Sequence, residues 1–266
     1  MEQPNTMKLG ASDRIAHAIH ERFGDQVQVP PLEELTAFAL LNERAACRLY
    51  REDPVPETLL SLLFTTALAA PTKSDLQQTT IIRVKDRSTR AAIHALLPDA
   101  PWAAQAPEFL VFCADGWRFR QLFIRAGAPF INDHFDALFN ATVDAAITLA
   151  SFVGAAELAG LGTCPISQVR DRAGEIDKLL NLPERVIPVA GLVVGYPAGR
   201  GRISARLPLS STVQTDRYDV GAVERDLGGY ETRRGSNWEA AKVKQYGVPL
   251  RGDFGDFVTA KCFNLK

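Results

Sequence analysis

The chain lacks the residue patterns that most often reveal a protein's chemistry. Its 266 residues include only four cysteines and four histidines, and neither set has the close spacing of a metal site. There is no G-x-x-x-x-G-K-[ST] phosphate loop, no G-x-G-x-x-G motif and no G-x-S-x-G nucleophile elbow. No Ser/His/Asp set or acidic pair stands out. If the protein is an enzyme, we therefore expect a bound cofactor to carry the chemistry, with no metal and no catalytic side chain.

The chain also lacks a charge excess and an apolar leader. Its formal net charge is −1, so we predict neither a nucleic-acid partner nor a membrane surface. Residues 1–14 contain no apolar signal core. The four cysteines are far apart in sequence, which favours reduced thiols. These features predict a cytoplasmic location.

What the chain does contain is typical of a soluble globular protein. Hydrophobic residues make up 46% and charged residues 23% of the chain. We see no internal repeat and no low-complexity linker. The prediction is one domain over residues 1–266, with an N-terminal helical extension over 1–32 and a C-terminal extension over 207–266.

Apolar periodicity predicts a mixture of helices and strands. The predicted helices lie near 13–24, 35–42, 56–70, 88–97, 135–160, 168–180 and 220–231. The predicted strands or extended segments lie near 80–84, 109–114, 163–167 and 186–196, with Pro188 near the start of the last one. Residues 117–135 are predicted to be irregular and helical only in part. Because the elements show no regular βαβ alternation, we predict an α+β fold.

The segment 135–160 is apolar nearly all round, which predicts a buried central helix. Asp144 and Glu157 interrupt it, so we predict that it does not span a membrane. Its many alanines permit close approach of another helix, including one from a second subunit.

Two polar clusters flank the predicted helix 56–70. Arg44 and Arg48 precede it, and the loop 70–78, with sequence APTKSDLQQ, follows it. Guanidinium groups and a polar loop suit a phosphate-bearing ligand. On these residues alone, a basic surface turn and an ordinary helix–strand connection explain the pattern slightly better.

Segments further along the chain add a pattern of order and spacing. The series is RAACRLY, AAPTKSDLQQTTIIRV, APEFLVFCAD, GLGTCPISQVR, LLNLPERVIPVAGLVVGYP, ARLP and ETRRGSNW. Over about residues 40–240 it resembles the FMN-dependent nitroreductase family, and most closely the NADPH-preferring, oxygen-insensitive branch. The resemblance implies an α/β sandwich with a mainly antiparallel central sheet flanked by helices. It also implies an intertwined homodimer with FMN at the subunit interface, and a dimer helix over 136–160.

The resemblance also implies the residues of a cofactor site. Arg44, Arg48 and Arg206 would contact the FMN phosphate and ribityl chain, and Arg234 would contact a dinucleotide phosphate or an anionic substrate. A solvated surface position explains Arg234 equally well. The implied FMN-binding set is Arg44, Ala45, Ala46, Arg48, Thr72, Lys73, Ser74, Asp75, Gln77, Pro165, Ile166, Ser167, Gln168, Ser204 and Arg206.

The implied activity is that of an FMN-dependent oxidoreductase. NADPH or NADH would reduce the flavin and leave, and a small electron-poor acceptor such as a nitroaromatic or a quinone would then enter the same pocket, in a ping-pong mechanism. The chain departs from the family pattern at Ala45 and Ala46, where Arg-Ser is usual, and at Asp75, where Asn or an aromatic residue is usual. These departures leave two alternatives open. One is a degenerate flavin-site dimer that acts as a non-redox binding protein, and the other is a different flavin reaction such as reductive dehalogenation or flavin fragmentation.

Overall fold

The residues of the chain pack into two units, each made of two segments that are distant in sequence. The structure, a computed structural model, describes residues 10–31, 33–199 and 201–266. Unit 1 comprises Met1–Ala45 and Gly201–Pro249, and unit 2 comprises Ala46–Arg200 and Leu250–Lys266. The single domain with terminal extensions stays a prediction, and its residues 1–9, 32 and 200 lie outside the described residues.

A four-stranded sheet forms the centre of unit 2. Its strands are β1 (Thr79–Arg83), β2 (Glu108–Asp115), β3 (Gly162–Ile166) and β4 (Val186–Gly195). The order across the sheet is β1-β2-β4-β3, and all three pairings are antiparallel. The inner strands β2 and β4 are buried almost throughout, which explains why their sequences are continuous apolar runs. The predicted α+β fold with a mainly antiparallel sheet is confirmed.

An irregularity in the sheet accommodates Pro188, the third residue of β4. Phe112 pairs with Ala190 but Cys113 pairs with Pro188, so Val189 bulges out of the ladder. Proline has no N–H to donate, and strands tolerate it at bulges and edges. The bulge therefore lets a central strand keep Pro188.

Helices cover both faces of this sheet. In unit 2 they are α3 (Glu57–Leu68), α4 (Arg87–Ala95), α5 (Trp117–Ala126), α6 (Phe135–Leu158), α7 (Ala173–Leu180) and α11 (Phe254–Ala260). The prediction for 168–180 was one continuous helix, but a 3-10 turn over Ser167–Arg170 precedes α7. Arg172 separates the two with non-helical dihedrals (φ −131°, ψ 47°). The apolar tail also forms a helix, α11, that was not predicted.

The helix α5 corrects the prediction that 117–135 is largely irregular. Phe119 and Phe123 lie one turn apart on α5, and both rings contact Phe130 with centroid separations of 5.4 and 4.8 Å. The ring contacts of this aromatic cluster stabilise α5, whose sequence mixes apolar and basic residues. Gly127, at φ +62°, ends the helix.

The helix α6 is long and apolar enough to span a membrane by length and composition alone, with a mean hydropathy of 1.4. By those measures its acidic residues do not disqualify it, and the prediction that it does not span a membrane stays a prediction. One face of the helix packs on α3 and β2, and 33% of its most apolar window is buried. Phe152 on that face contacts Phe64 and Phe112.

Unit 1 is helical in the part of it that the structure describes. Its helices are α1 (Ala11–Phe23), α2 (Leu35–Glu43), α8 (Leu209–Thr212), α9 (Ala222–Arg234) and α10 (Trp238–Tyr246). The helix α1 packs on α2 and α9, and Arg14 of α1 donates two hydrogen bonds to the carboxylate of Glu43, at 2.8 and 2.5 Å. Gly24, at φ +74°, ends α1 at the predicted position.

An exposed ion-pair cluster at the start of α3 gives a pH-dependent prediction. Arg83 and Lys85 donate to the two carboxylate oxygens of Glu57 at 2.6 and 3.2 Å, and the Arg83 bond is the main cause that lowers the pKa of Glu57 from 4.5 to about 2. Because the pKa of Glu57 is lower in the folded protein than in the unfolded chain, the ionised carboxylate raises the free energy of unfolding above about pH 4.5. This contribution disappears as the pH falls through about 2. At neutral pH we expect the wild type to unfold at a higher urea concentration than Glu57→Gln. This difference in midpoint should vanish near pH 2. A difference that does not change with pH contradicts this origin. The comparison belongs at low ionic strength, because salt screens exposed pairs.

Candidate functional site

The loop before β1 has a strained backbone. Ser74, Asp75 and Gln77 adopt left-handed dihedrals, with φ of 49°, 57° and 50°. Residues other than glycine rarely occupy this region, and such strain concentrates at functional sites where the surrounding structure enforces it. The loop contains five of the predicted FMN-binding residues, and its shape therefore needs an anchor.

That anchor is Asp144, a carboxylate on the buried face of α6 that is only 2% exposed. It accepts hydrogen bonds from Thr72 Oγ1 at 2.5 Å, from the Lys73 backbone N–H at 3.2 Å and from the Gln78 backbone N–H at 3.1 Å. The sequence-based prediction treated Asp144 only as an interruption of the apolar helix. A single carboxylate at a core position of such a helix is the signal that identifies it, because a buried charge needs hydrogen-bond partners.

The remaining side chains of the loop are also engaged. Gln77 Nε2 donates to Asp75 Oδ1 at 2.8 Å, and Lys73 Nζ lies 3.2 Å from Asp136 Oδ2 at the start of α6. The amide of Gln77 therefore satisfies part of the carboxylate that replaces the usual residue at position 75.

A cleft of about 720 Å³ opens beside this loop, and it has the volume of a small-molecule site. Apolar side chains of α3 form one wall, and polar groups of the loop, β1 and α6 form the other. The lining includes Phe64, Leu68, Thr72, Asp75, Gln77, Thr80, Arg118, Asp144 and Thr148.

A second group of predicted residues lies along β3, at the other edge of the sheet. The segment around Ala46 and Arg48 runs beside β3, because the Cys47 N–H donates to the Thr163 carbonyl at 2.9 Å. Gly162 permits this approach, since a Cβ there would lie 2.6 Å from the Cys47 side chain.

Side chains of this edge converge on the short helix Pro101–Gln105 and the residues just before it. The Arg48 guanidinium lies 5.5 Å from the centroid of the Trp102 ring, and Gln168 Nε2 donates to Asp99 Oδ2 at 2.6 Å. Gln168 Oε1 is buried and has no hydrogen-bond partner within the described part of the chain. Ser167 Oγ bonds Arg251 Nη2 at 3.1 Å. Pro165 is exposed and Ile166 is buried, as alternation on an edge strand requires.

These two groups do not meet within unit 2. The loop of residues 72–77 leads into β1 and the segment 165–168 ends β3, and these are the outer strands of the sheet. Three strand spacings of about 4.8 Å put the outer strands about 14 Å apart. Within a single chain, the two groups of predicted residues in unit 2 therefore lie at opposite edges of the sheet.

The remaining predicted residues belong to unit 1, where three of them lie together. Arg22 of α1 donates to the carbonyl oxygens of Arg44 and Ser204 at 2.6 and 3.2 Å, and the Arg206 N–H donates to the Arg22 carbonyl at 2.5 Å. Ala45 follows Arg44 directly. The sequence-based prediction did not include Arg22, whose helix carries no motif.

The C-terminal end of α9 carries a pair of arginines. Arg233, which the sequence motifs did not single out, contacts the 204–206 segment, because its Nη2 donates to the Arg206 carbonyl at 3.2 Å. Arg234 Nη1 is buried without a hydrogen-bond partner among the described residues. The ligand role of Arg234 stays a prediction.

Together these features define a class of protein: an α+β fold with a strained polar loop and a cleft in unit 2, and with neighbouring arginines in unit 1 whose positive charge suits an anionic ligand. The chain belongs to the nitroreductase family, whose family model matches residues 41–196. The resemblance of the sequence motifs is thereby confirmed.

Curated relatives and solved structures agree with this assignment. The chain is 32% identical to the FMN reductase [NAD(P)H] of Bacillus subtilis (strain 168), over 77% of this chain and 89% of that protein. It is 31% identical to the oxygen-insensitive NADPH nitroreductase of Salmonella typhimurium, over 74% of this chain and 83% of that protein. Among solved structures, the hypothetical oxidoreductase YcnD from Bacillus subtilis superposes with a TM-score of 0.82 at 28% identity, and the match covers 86% of this chain and 98% of that one.

Proposed function

We propose that the protein is an FMN-dependent oxidoreductase that uses NAD(P)H to reduce small electron-poor acceptors such as nitroaromatics or quinones, and that it works in the cytoplasm. Family membership supports this, and so do relatives whose names state FMN and NADPH. The observation that carries the proposal is the grouping of Arg44 and Arg206 around Arg22. These are the two unit 1 arginines that the motifs assign to a phosphate, and they are brought together from positions 162 residues apart in sequence.

The residues present fit FMN by their chemistry. Guanidinium groups pair with phosphate through charge-assisted hydrogen bonds, which suits Arg44 and Arg206. Gln168 Oε1, a buried acceptor without a partner among the described residues, can take an N–H of a bound ligand. Bound FMN would supply the redox chemistry, by taking a hydride from NAD(P)H and passing it to the acceptor.

The remaining predicted residues orient the cofactor and set its electrostatics. Lys73, Ser74 and the backbone of the strained loop offer a cation and donors to the flavin edge where negative charge accumulates. Residues 165–167 would line the flavin ring, and Arg48 the ribityl chain. None of these residues needs to transfer a proton, which is consistent with a site that has no catalytic side chain.

We also propose that the protein works as an intertwined homodimer. The two groups of predicted residues lie at opposite edges of one sheet, and a partner subunit would bring one edge against the other. The apolar face of α6 supports this proposal: Phe135, Phe139 and Val143 follow one another at four-residue spacing and are 52%, 55% and 38% exposed. Exposed apolar faces of this kind mark interfaces.

The alternative of a non-redox binding protein is not favoured. It rests on Ala45, Ala46 and Asp75, and the Asp75 carboxylate already accepts a hydrogen bond from Gln77. The relatives named above are reductases rather than binding proteins.

Flavin content and steady-state kinetics test this proposal. We expect the purified protein to carry about one FMN per chain, identified by mass spectrometry of the released flavin. Double-reciprocal plots at several fixed acceptor concentrations should give parallel lines, as a ping-pong mechanism requires. A protein that neither contains FMN nor binds it on titration contradicts the proposal.

A further inference from the structure

We propose that Arg22, in the N-terminal helix α1, is the positioning residue of the phosphate-binding arginines in unit 1. The inference rests on the proposed function, because it assigns the phosphate of FMN to Arg44 and Arg206. It adds a residue outside the span that the family model matches, which begins at residue 41.

The side chain of Arg22 joins two segments that are distant in sequence. One terminal nitrogen, Nη2, donates to the carbonyl oxygens of Asn42 at 3.0 Å and Arg44 at 2.6 Å. The other, Nη1, donates to the Ser204 carbonyl at 3.2 Å. A planar guanidinium can serve several acceptors at fixed angles, which a lysine ammonium on a flexible stem does less well. Arg22 thereby fixes the backbone on which Arg44 lies and the backbone that leads to Arg206.

The backbone of Arg22 adds a second link. Its carbonyl accepts from the Arg206 N–H at 2.5 Å, while the Arg206 carbonyl accepts from Arg233 Nη2 at 3.2 Å. Both backbone polar groups of Arg206 are therefore held. The side chain of Arg206 stays exposed and reaches only the carbonyls of Ala205 and Ser204, at 3.0 and 3.4 Å. The structure thus holds the backbone and leaves the guanidinium accessible to a ligand.

The charges around Arg22 suit an anionic ligand. Partial burial and the nearby positive charges of Arg206 and Arg44 lower the pKa of Arg22 from its usual value. Arg22 therefore lies in the positive field of Arg44 and Arg206, and the same field favours an anion bound near these arginines. A phosphate monoester is such an anion, whereas the neutral flavin ring and ribityl chain are not.

Comparison of FMN with riboflavin separates this role from general stabilisation. Apo-protein is titrated with each flavin, and quenching of flavin fluorescence gives the dissociation constant. We expect Arg22→Ala to raise the Kd for FMN about tenfold or more, because displacing Arg44 or Arg206 weakens a charge-assisted hydrogen bond to the phosphate. The Kd for riboflavin, which has no phosphate, should stay within about twofold. Arg22→Lys should also lose affinity for FMN but not for riboflavin. This variant replaces Arg22→Ala in the test if the alanine variant does not fold.

Arg14→Ala is the matched control, because Arg14 lies on the same helix but binds the carboxylate of Glu43. It should leave both dissociation constants within about twofold. Equal losses for FMN and riboflavin, or an equal loss in Arg14→Ala, show that docking of α1 alone matters and overturn the role of Arg22. An unchanged FMN affinity in Arg22→Ala overturns it too, while the proposed function stands. A wild-type protein that binds no FMN overturns the proposed function as well.

Discussion

Phe139→Asp is expected to convert the proposed homodimer to a monomer and to abolish FMN binding. Phe139 lies in the middle of the exposed apolar face of α6, where it contacts Phe135 with ring centroids 6.4 Å apart. In a twofold interface each substitution occurs twice. If a central aromatic contributes about 2 kcal/mol, the pair contributes about 4 kcal/mol, so dimer affinity should fall roughly 1000-fold. Sedimentation velocity measures the change in mass.

The loss of flavin follows from the two-edge arrangement of the site. A monomer would keep the 72–77 loop and the 165–168 segment about 14 Å apart, so neither edge would hold the cofactor alone. Phe139→Leu is the matched control, because it keeps an apolar side chain and should keep both the dimer and the FMN. A Phe139→Asp protein that is monomeric and retains FMN contradicts the proposal that the site is shared between subunits.

Asp144→Ala should cause the second large effect, on both stability and cofactor binding. The substitution leaves the Thr72 hydroxyl and two backbone N–H groups without their acceptor, beside a loop with three left-handed residues. Loss of hydrogen bonds to a buried charged group should lower the free energy of unfolding by about 3 kcal/mol. Because the loop loses its anchor, we also expect FMN affinity to fall by at least tenfold. Urea denaturation and flavin titration measure the two effects.

Two further variants show whether the anchor acts through its hydrogen bonds. Asp144→Asn keeps one acceptor oxygen and should be intermediate in both measurements. Asp136→Ala removes an exposed carboxylate of the same helix that reaches only the Lys73 side chain within the loop. It should change stability little, as exposed pairs generally do. If Asp144→Ala is as stable as Asp136→Ala, the carboxylate does not hold the loop.

The parts of the fold that could be predicted are those with strong periodicity. The buried runs of β2 and β4 depend on burial alone, and that burial follows directly from the pattern of apolar residues. For α6 the same pattern predicted a helix buried all round, but Phe135, Phe139 and Val143 are exposed in the single chain. The helix α5 could not be predicted in this way, because Phe130, which lies beyond its end, completes the aromatic cluster that covers its apolar side. Helix propensity also gives no signal for the break at Arg172, where a 3-10 turn precedes α7.

In the candidate site too, some residues can be predicted from sequence motifs and others depend on the fold. The order of the motifs predicts ligand roles for Arg44, Arg206 and the 72–77 loop through their resemblance to the family pattern, and these roles stay predictions. It did not identify Asp144 or Arg22, since their roles depend on backbone groups that only the fold brings near. The contact of Arg233 with the Arg206 carbonyl also depends on the fold, because adjacent residues of a helix point about 100° apart and only the packing decides which of them faces that backbone.

Anaerobic reduction by NADPH tests the central proposal most directly. The purified protein, reconstituted with FMN if necessary, is mixed with one equivalent of NADPH without oxygen or acceptor, and its visible absorbance is followed. An FMN-dependent NAD(P)H oxidoreductase should lose the yellow absorbance of oxidised flavin in no more time than one catalytic turnover takes at steady state. A quinone or nitroaromatic added afterwards should restore this absorbance. Bound FMN that stays oxidised with both NADPH and NADH would contradict the proposed function.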